Sequence, residues 1–163
     1  MKNSYFASAI LLAVTLIALL SGCSNAGSPA KHDVSKGIFP EGNQGPATTF
    51  TGKVYYLGLV EADSIYTTAV GNVYFEPGAR SHWHTHPAGQ ILVITDGVGY
   101  HQIKGQPRQT LHKGDIVKCP PNTLHWHGAS QDTGMQQMYI LPNTGKGIVD
   151  WKEAVTDEVY NGN

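Results

Sequence analysis

The chain has 163 residues, enough for one domain with a substantial core and too few for two. Hydrophobic residues make up 40% and charged residues 14%, which excludes a disordered, highly charged polymer. A formal net charge of −1 leaves no basic footprint for nucleic acid.

At the N-terminus, Lys2 precedes a twelve-residue apolar run, AILLAVTLIALL, at 9–20. As a helix it would span about 18 Å, well short of a ~30 Å hydrocarbon core, so it reads as a signal-peptide segment rather than a permanent span. The following LSGC (20–23) resembles the bacterial lipobox. That resemblance implies a leader over 1–22, lipidation of Cys23, and a protein anchored on the extracytoplasmic side of the cell envelope. An ordinary secreted protein cut nearby is the alternative. The mature chain would keep 141 residues, ten of them basic and twelve acidic. Cys119 would be its one free thiol, so no internal disulfide is expected. Residues 23–48, rich in Ser, Gly, Asn and Pro, read as a flexible tether containing a solvated His32, with the folded domain over 49–163.

Strands are expected at 53–60, 65–76, 91–95, 98–104, 115–119 and 135–141. Each is rich in Val, Ile, Thr or Tyr and bounded by turn pairs such as Pro-Gly and Asp-Gly. Nineteen glycines and nine prolines fit that pattern. Closely spaced strands without helices between them point to an all-β sandwich or barrel. The end differs: Trp151, Val155 and Val159 recur at helical spacing, with Asp150 and Glu153 placed like a capping box, so a short helix is expected over 150–160.

The chemistry concentrates in HWHTHPAGQ (82–90). Along an extended strand His82, His84 and His86 share one face, and Trp83 and Thr85 take the other. Pro87 helps hold His86 extended. LHWHGA (124–129) repeats the device with His125 and His127. A row of imidazoles in an interior needs compensation, either by hydrogen bonds or by a divalent metal bound to neutral rings.

Two longer stretches carry a family resemblance. PGARSHWHTHPAGQILVITDG (77–97) resembles the first cupin motif, with Gly78, His84, His86 and Gly97 in place and Gln90 at the acidic position. GDIVKCPPNTLHWHGA (114–129) resembles the second through Gly114, Pro120 and His125, although Asn122 stands where glycine is usual and Ala129 where asparagine is. Sixteen residues separate Gly97 from Gly114, as in small bacterial cupins. The resemblance implies a jelly-roll barrel holding one divalent metal through His84, His86, Gln90 and His125.

Within the cupins, the chain resembles the group associated with carboxymuconolactone decarboxylases, which includes manganese-dependent hydroxynitrile lyases. Manganese is therefore the first expectation, with Fe, Ni, Zn and Cu as alternatives. The chain departs from those lyases at His82, where they carry a small residue, and near Gln137, where they carry histidine. A neutral amide in place of a carboxylate leaves the ion's charge undiminished and favours redox-neutral Lewis-acid chemistry. A lyase- or isomerase-type enzyme acting on a small oxygenated molecule is thus expected. A metal-dependent dioxygenase and a non-catalytic small-molecule or metal-binding envelope protein are the alternatives. The resemblance also allows a homodimer or higher homo-oligomer.

His127 and His82 are candidates for proton transfer, or for orienting the ligands. Cys119 reads as a small buried hydrophobe, and His101 and His112 as surface residues of a hairpin. Arg80 either faces the cavity to bind an anion or makes a surface ion pair. Trp83 and Trp126 should pack between sheets or at a dimer contact, and Met138 or Tyr139 should line the pocket.

Overall fold

The computed structural model describes residues 33–35 and 37–162; the expected leader, Cys23 and His32 lie outside them. In chain order the strands are β1 (Asn43–Gln44), β2 (Phe50–Thr51), β3 (Val54–Val60), β4 (Ala69–Phe75), β5 (Arg80–Ser81) and β6 (His84–Thr85). They continue with β7 (Gln90–Ile103), β8 (Gln109–His112), β9 (Ile116–Cys119), β10 (His125–Ala129), β11 (Met135–Leu141) and β12 (Asp150–Trp151). A helix, α1 (Asp157–Asn161), closes the chain. The all-β jelly roll is therefore present. Several of its strands are two-residue pieces, which short periodic runs in a sequence cannot signal.

Every pairing is antiparallel, and β7 joins the two faces of the curled sheet. Its first half lies between β11 and β9, and its second half between β10 and β8. Sequence reading places two strands here, separated by a turn at Asp96-Gly97; the structure has one continuous strand of 14 residues. Gly97 makes the bend. It adopts φ +77°, and a Cβ there would meet the Gly134 carbonyl oxygen at 1.9 Å, so no other residue fits.

The interior is filled by Val54, Val73, Phe75, Leu92, Ile94, Val117 and Met135, with Phe50 and Tyr139 at its margin. These come from alternate positions of facing strands, as the two-residue period requires. A second cluster lies under the C-terminal segment, where Trp83, Trp126, Val155 and Tyr160 pack with Tyr100, Leu124 and Val159. The two tryptophans thus anchor the chain end. The Trp126 indole also donates to Gln102 Oε1 at 2.9 Å.

The helix expected over 150–160 is mostly absent. Asp150 and Trp151 instead pair with Thr85 and His84 as β12. Lys152 N donates to Trp83 O and Trp83 N to Glu153 O, which prolongs the extended pairing. The helix starts only after Thr156, whose hydroxyl accepts from Val159 N. The helical spacing of Trp151 and Val155 is a coincidence: Trp151 packs on Phe50 and His84, whereas Val155 belongs to the second cluster.

Arg80 holds that segment down. It is 6% exposed, donates through Nε and Nη2 to Val155 O, pairs with Asp157, and lies 4.5 Å from the centre of the Tyr160 ring. It neither faces the cavity nor makes a surface pair. Arg80→Ala should cost about 2–3 kcal/mol, because the Val155 carbonyl loses its donors in a buried place. Asp157→Ala should cost under about 1 kcal/mol, since that carboxylate is 87% exposed. Urea unfolding of both variants checks this, and equal losses would contradict it.

Ordered contacts also begin before residue 49. Gln44 pairs with Tyr55 in β3, and Gln136 Nε2 donates to Val34 O while its Oε1 accepts from Asn72. Part of the stretch expected as a tether therefore contributes to the sheet.

Candidate metal centre and cavity

β6 and β10 place His84 directly opposite His125. Their ring centroids lie 4.3 Å apart, and His86 lies 5.1 Å from His84 and 5.6 Å from His125. A turn sets the next residue: Gly89 N donates to His86 O, with Pro87 as the first central residue. The tight turn carries Gln90 back beneath the histidines. His127, two positions along β10, sits 5.1 Å from His84.

Three of these rings are held in the same way. His84 Nδ1 donates to His82 O at 2.9 Å, His125 Nδ1 to Thr123 O at 2.9 Å, and His86 Nδ1 to Ile148 O at 2.6 Å. A carbonyl only accepts, so each proton sits on Nδ1 and each Nε2 keeps a lone pair for a metal. His127 is held differently, with Nδ1 3.0 Å from Gln137 Nε2. His84, His125 and His127 offer ring nitrogens within 4.8 Å of one another, a group that could bind a metal ion. The Nε2 atoms of His86 and His127 are buried without a protein partner, as is Gln137 Oε1.

Burial is the main force on these imidazoles. It holds His84 and His127 well below the usual histidine range, with neighbouring imidazoles adding to the effect. Burial likewise lowers His86, and it brings His125 down to about 4. All are therefore neutral at neutral pH, the form that ligates metals.

The rings open onto a cavity of about 350 Å³ lined by Phe50, Val73, Phe75, Tyr139, Leu141 and Trp151, among others. His84, His86, Gln90, His127 and Gln137 supply most of its polar lining. No carboxylate, lysine or arginine is among the described residues around it. Of the adjacent pair Met138 and Tyr139, it is Tyr139 that reaches it.

His82 falls outside this group. The extended run breaks at His82–Trp83, between β5 and β6, so strict alternation fails there. The His82 ring is half-buried and approaches the Thr48 main chain, while its carbonyl orients His84. His101 differs from expectation in the opposite sense. It is 2% exposed, faces His127 across the β7–β10 pairing, and lies 3.2 Å from Cys119 Sγ through Nε2. Burial lowers His101 to about 4 and pushes the Cys119 thiol up to about 12. His112 is exposed, as expected.

A pH dependence follows. His101 and His125 titrate near 4 when folded, against an ordinary 6.5. Between those values the unfolded chain binds protons that the folded chain excludes, so acidification destabilises the fold. Metal-free protein should lose on the order of several kcal/mol from pH 7 to pH 4.5, read as a falling urea midpoint. A midpoint that rises with acid would contradict this.

The Cupin domain family model matches residues 71–140. The (R)-mandelonitrile lyase of Granulicella tundricola is 44% identical over 117 residues, covering 72% of this chain and 89% of that protein. A crystal structure of a cupin-like protein from Thermotoga maritima MSB8 superposes with a TM-score of 0.75 at 44% identity, covering 77% of this chain and 95% of that one. A DMSP lyase from Ruegeria pomeroyi DSS-3 shares the fold alone, with a TM-score of 0.54 and 21% identity over 67% of this chain and 54% of the other. With the curled antiparallel sheet, the inward histidines and these likenesses in agreement, the chain belongs to the cupin family.

Proposed function

We propose that this cupin is a metal-dependent lyase for small neutral hydroxy compounds, cyanohydrins of aromatic aldehydes foremost, and that His84, His86, Gln90 and His125 hold its divalent ion. One contact carries the metal assignment. His125 Nε2 lies 3.0 Å from Gln90 Oε1, and the single proton of this neutral ring is already committed to Thr123 O. Two facing acceptors repel unless a cation lies between them. Adjacent ligands at ~2.1 Å from one ion are about 3 Å apart in octahedral geometry, so the contact has the length of a coordination edge. A half-turn of the Gln90 amide would make an ordinary hydrogen bond instead, and metal content separates the two.

Manganese is the preferred ion, with Fe, Ni, Zn and Cu as alternatives. A bound divalent ion would supply Lewis acidity toward the substrate oxygen. The rest falls to the protein. The apolar wall of Phe50, Phe75 and Trp151 suits a flat hydrocarbon body, and the lack of charged lining suits a neutral molecule. Cleavage of a cyanohydrin removes the hydroxyl proton, forms the aldehyde C=O, and sends the C–C electron pair out with cyanide. Cyanide then needs a proton. The hydroxyl proton supplies it, giving hydrogen cyanide, so no outside acid is consumed; His127, neutral and lining the cavity, would donate a hydrogen bond from Nε2 to the departing cyanide. His82 has no part in this reading, because it does not line the cavity. The lipid anchor at Cys23 would place the reaction outside the cytoplasm.

The experiment is an assay of (R)- and (S)-mandelonitrile cleavage by the manganese-loaded and the chelator-stripped protein. Cyanide release that falls to background on stripping and returns with metal supports the reading. Equal release by both preparations would overturn it.

A further inference from the structure

Gln137 is fully buried on β11, at the register shift beside Gln136, and it lines the cavity with His127. Its Nε2 is 3.0 Å from His127 Nδ1. The remaining atoms of the pair, Gln137 Oε1 and His127 Nε2, are buried and meet no protein partner. This differs in kind from the other histidines of the centre. Their Nδ1 atoms face main-chain carbonyls, which accept only and so leave Nε2 bare. An amide nitrogen donates only. A neutral ring that accepts at Nδ1 must carry its proton on Nε2.

We infer that Gln137 is a positioning residue: its amide fixes His127 as the Nε2–H tautomer, so that this histidine offers a donor to the cavity and stays out of the ion's coordination. The inference rests on the proposed metal centre and adds to it the residue that divides ligand from donor within the histidine cluster. It also gives Gln137 Oε1 a role, as an acceptor beside the Nε2–H donor. A hydroxyl group both donates and accepts, and it satisfies the two orphaned atoms together.

The test is ¹⁵N–¹H long-range correlation spectroscopy of the full chain, metal-free and zinc-loaded, with His127 assigned through a His127→Ala spectrum. In the wild type, His127 should show a bare Nδ1 and a protonated Nε2, unchanged when zinc is added. His84, His86 and His125 should show the opposite tautomer, with zinc shifting their Nε2 signals. Gln137→Glu supplies a carboxylate that only accepts, so His127 should switch to Nδ1–H and its Nε2 signal should then move with zinc. If that variant does not fold, Gln137→Leu should instead give a mixture of His127 tautomers. A protonated Nδ1 in the wild type, or a zinc-induced shift at its Nε2, would overturn the inference. The metal-free spectrum reads the tautomer without any turnover, so failure of the lyase reading is distinguishable from failure of this one.

Discussion

Replacing His84 by alanine is expected to remove metal and turnover together. His84 stands at the centre of the cluster, with ring centroids of His86, His125 and His127 4.3–5.1 Å away. It is 1% exposed, so water cannot readily replace the lost nitrogen in the same geometry. Metal content should fall from about one ion per chain to below about a tenth, with cyanide release at background. The fold should survive, because the large hydrophobic residues of the inner cluster are untouched. Plasma emission spectroscopy beside circular dichroism checks both. A folded variant that keeps its metal would remove His84 from the centre.

His127→Ala is expected to separate the two properties. The proposed hydrogen-bond donor to the leaving group is lost, while the three rings tied to carbonyls and Gln90 remain. kcat should drop by roughly 10²–10³, the usual cost of losing one donor to developing negative charge, with metal content unchanged. Loss of metal in this variant would favour the tighter trio of His84, His125 and His127 as the ligand set. Unchanged turnover would remove His127 from the reaction.

How much of this was legible follows from two periodicities. Along β10 the two-residue period sorts the faces correctly. His125 and His127 turn inward while Trp126 turns toward the C-terminal segment, as alternation along β10 requires. Gln90 was legible only through the family motif, since nothing local marks a glutamine after a turn as a site residue. His82 failed because the strand breaks between Ser81 and His84, and alternation has no meaning across a break. His101 failed for a related reason. With Asp96-Gly97 read as a turn, residues beyond it could not be put in phase with Leu92 and Ile94, whereas the bend in fact passes the strand on with His101 facing inward.

The chain end shows the limit of local pattern. Asp150, Trp151 and Glu153 satisfy a helix signature, but Trp83 and Thr85 offer main-chain partners that only the folded sheet brings into reach. Tertiary pairing overrides propensity, and Trp151 becomes a wall of the cavity instead of a helix face. In the sequence Gln137 stands out only through the resemblance, as a position where the similar lyases carry histidine. Its contact with His127 crosses from β11 to β10, strands that are not paired neighbours, and no sequence spacing encodes that approach.

The central claim is that His84, His86, Gln90 and His125 hold one divalent ion. Anomalous diffraction at the manganese edge, from crystals of protein matured with manganese, tests it most directly. A single peak is expected, bounded by the Nε2 atoms of His84, His86 and His125 and by Gln90 Oε1, with His127 Nε2 outside that set. No peak, or a peak bounded by His127 in place of His86 and Gln90, would contradict it.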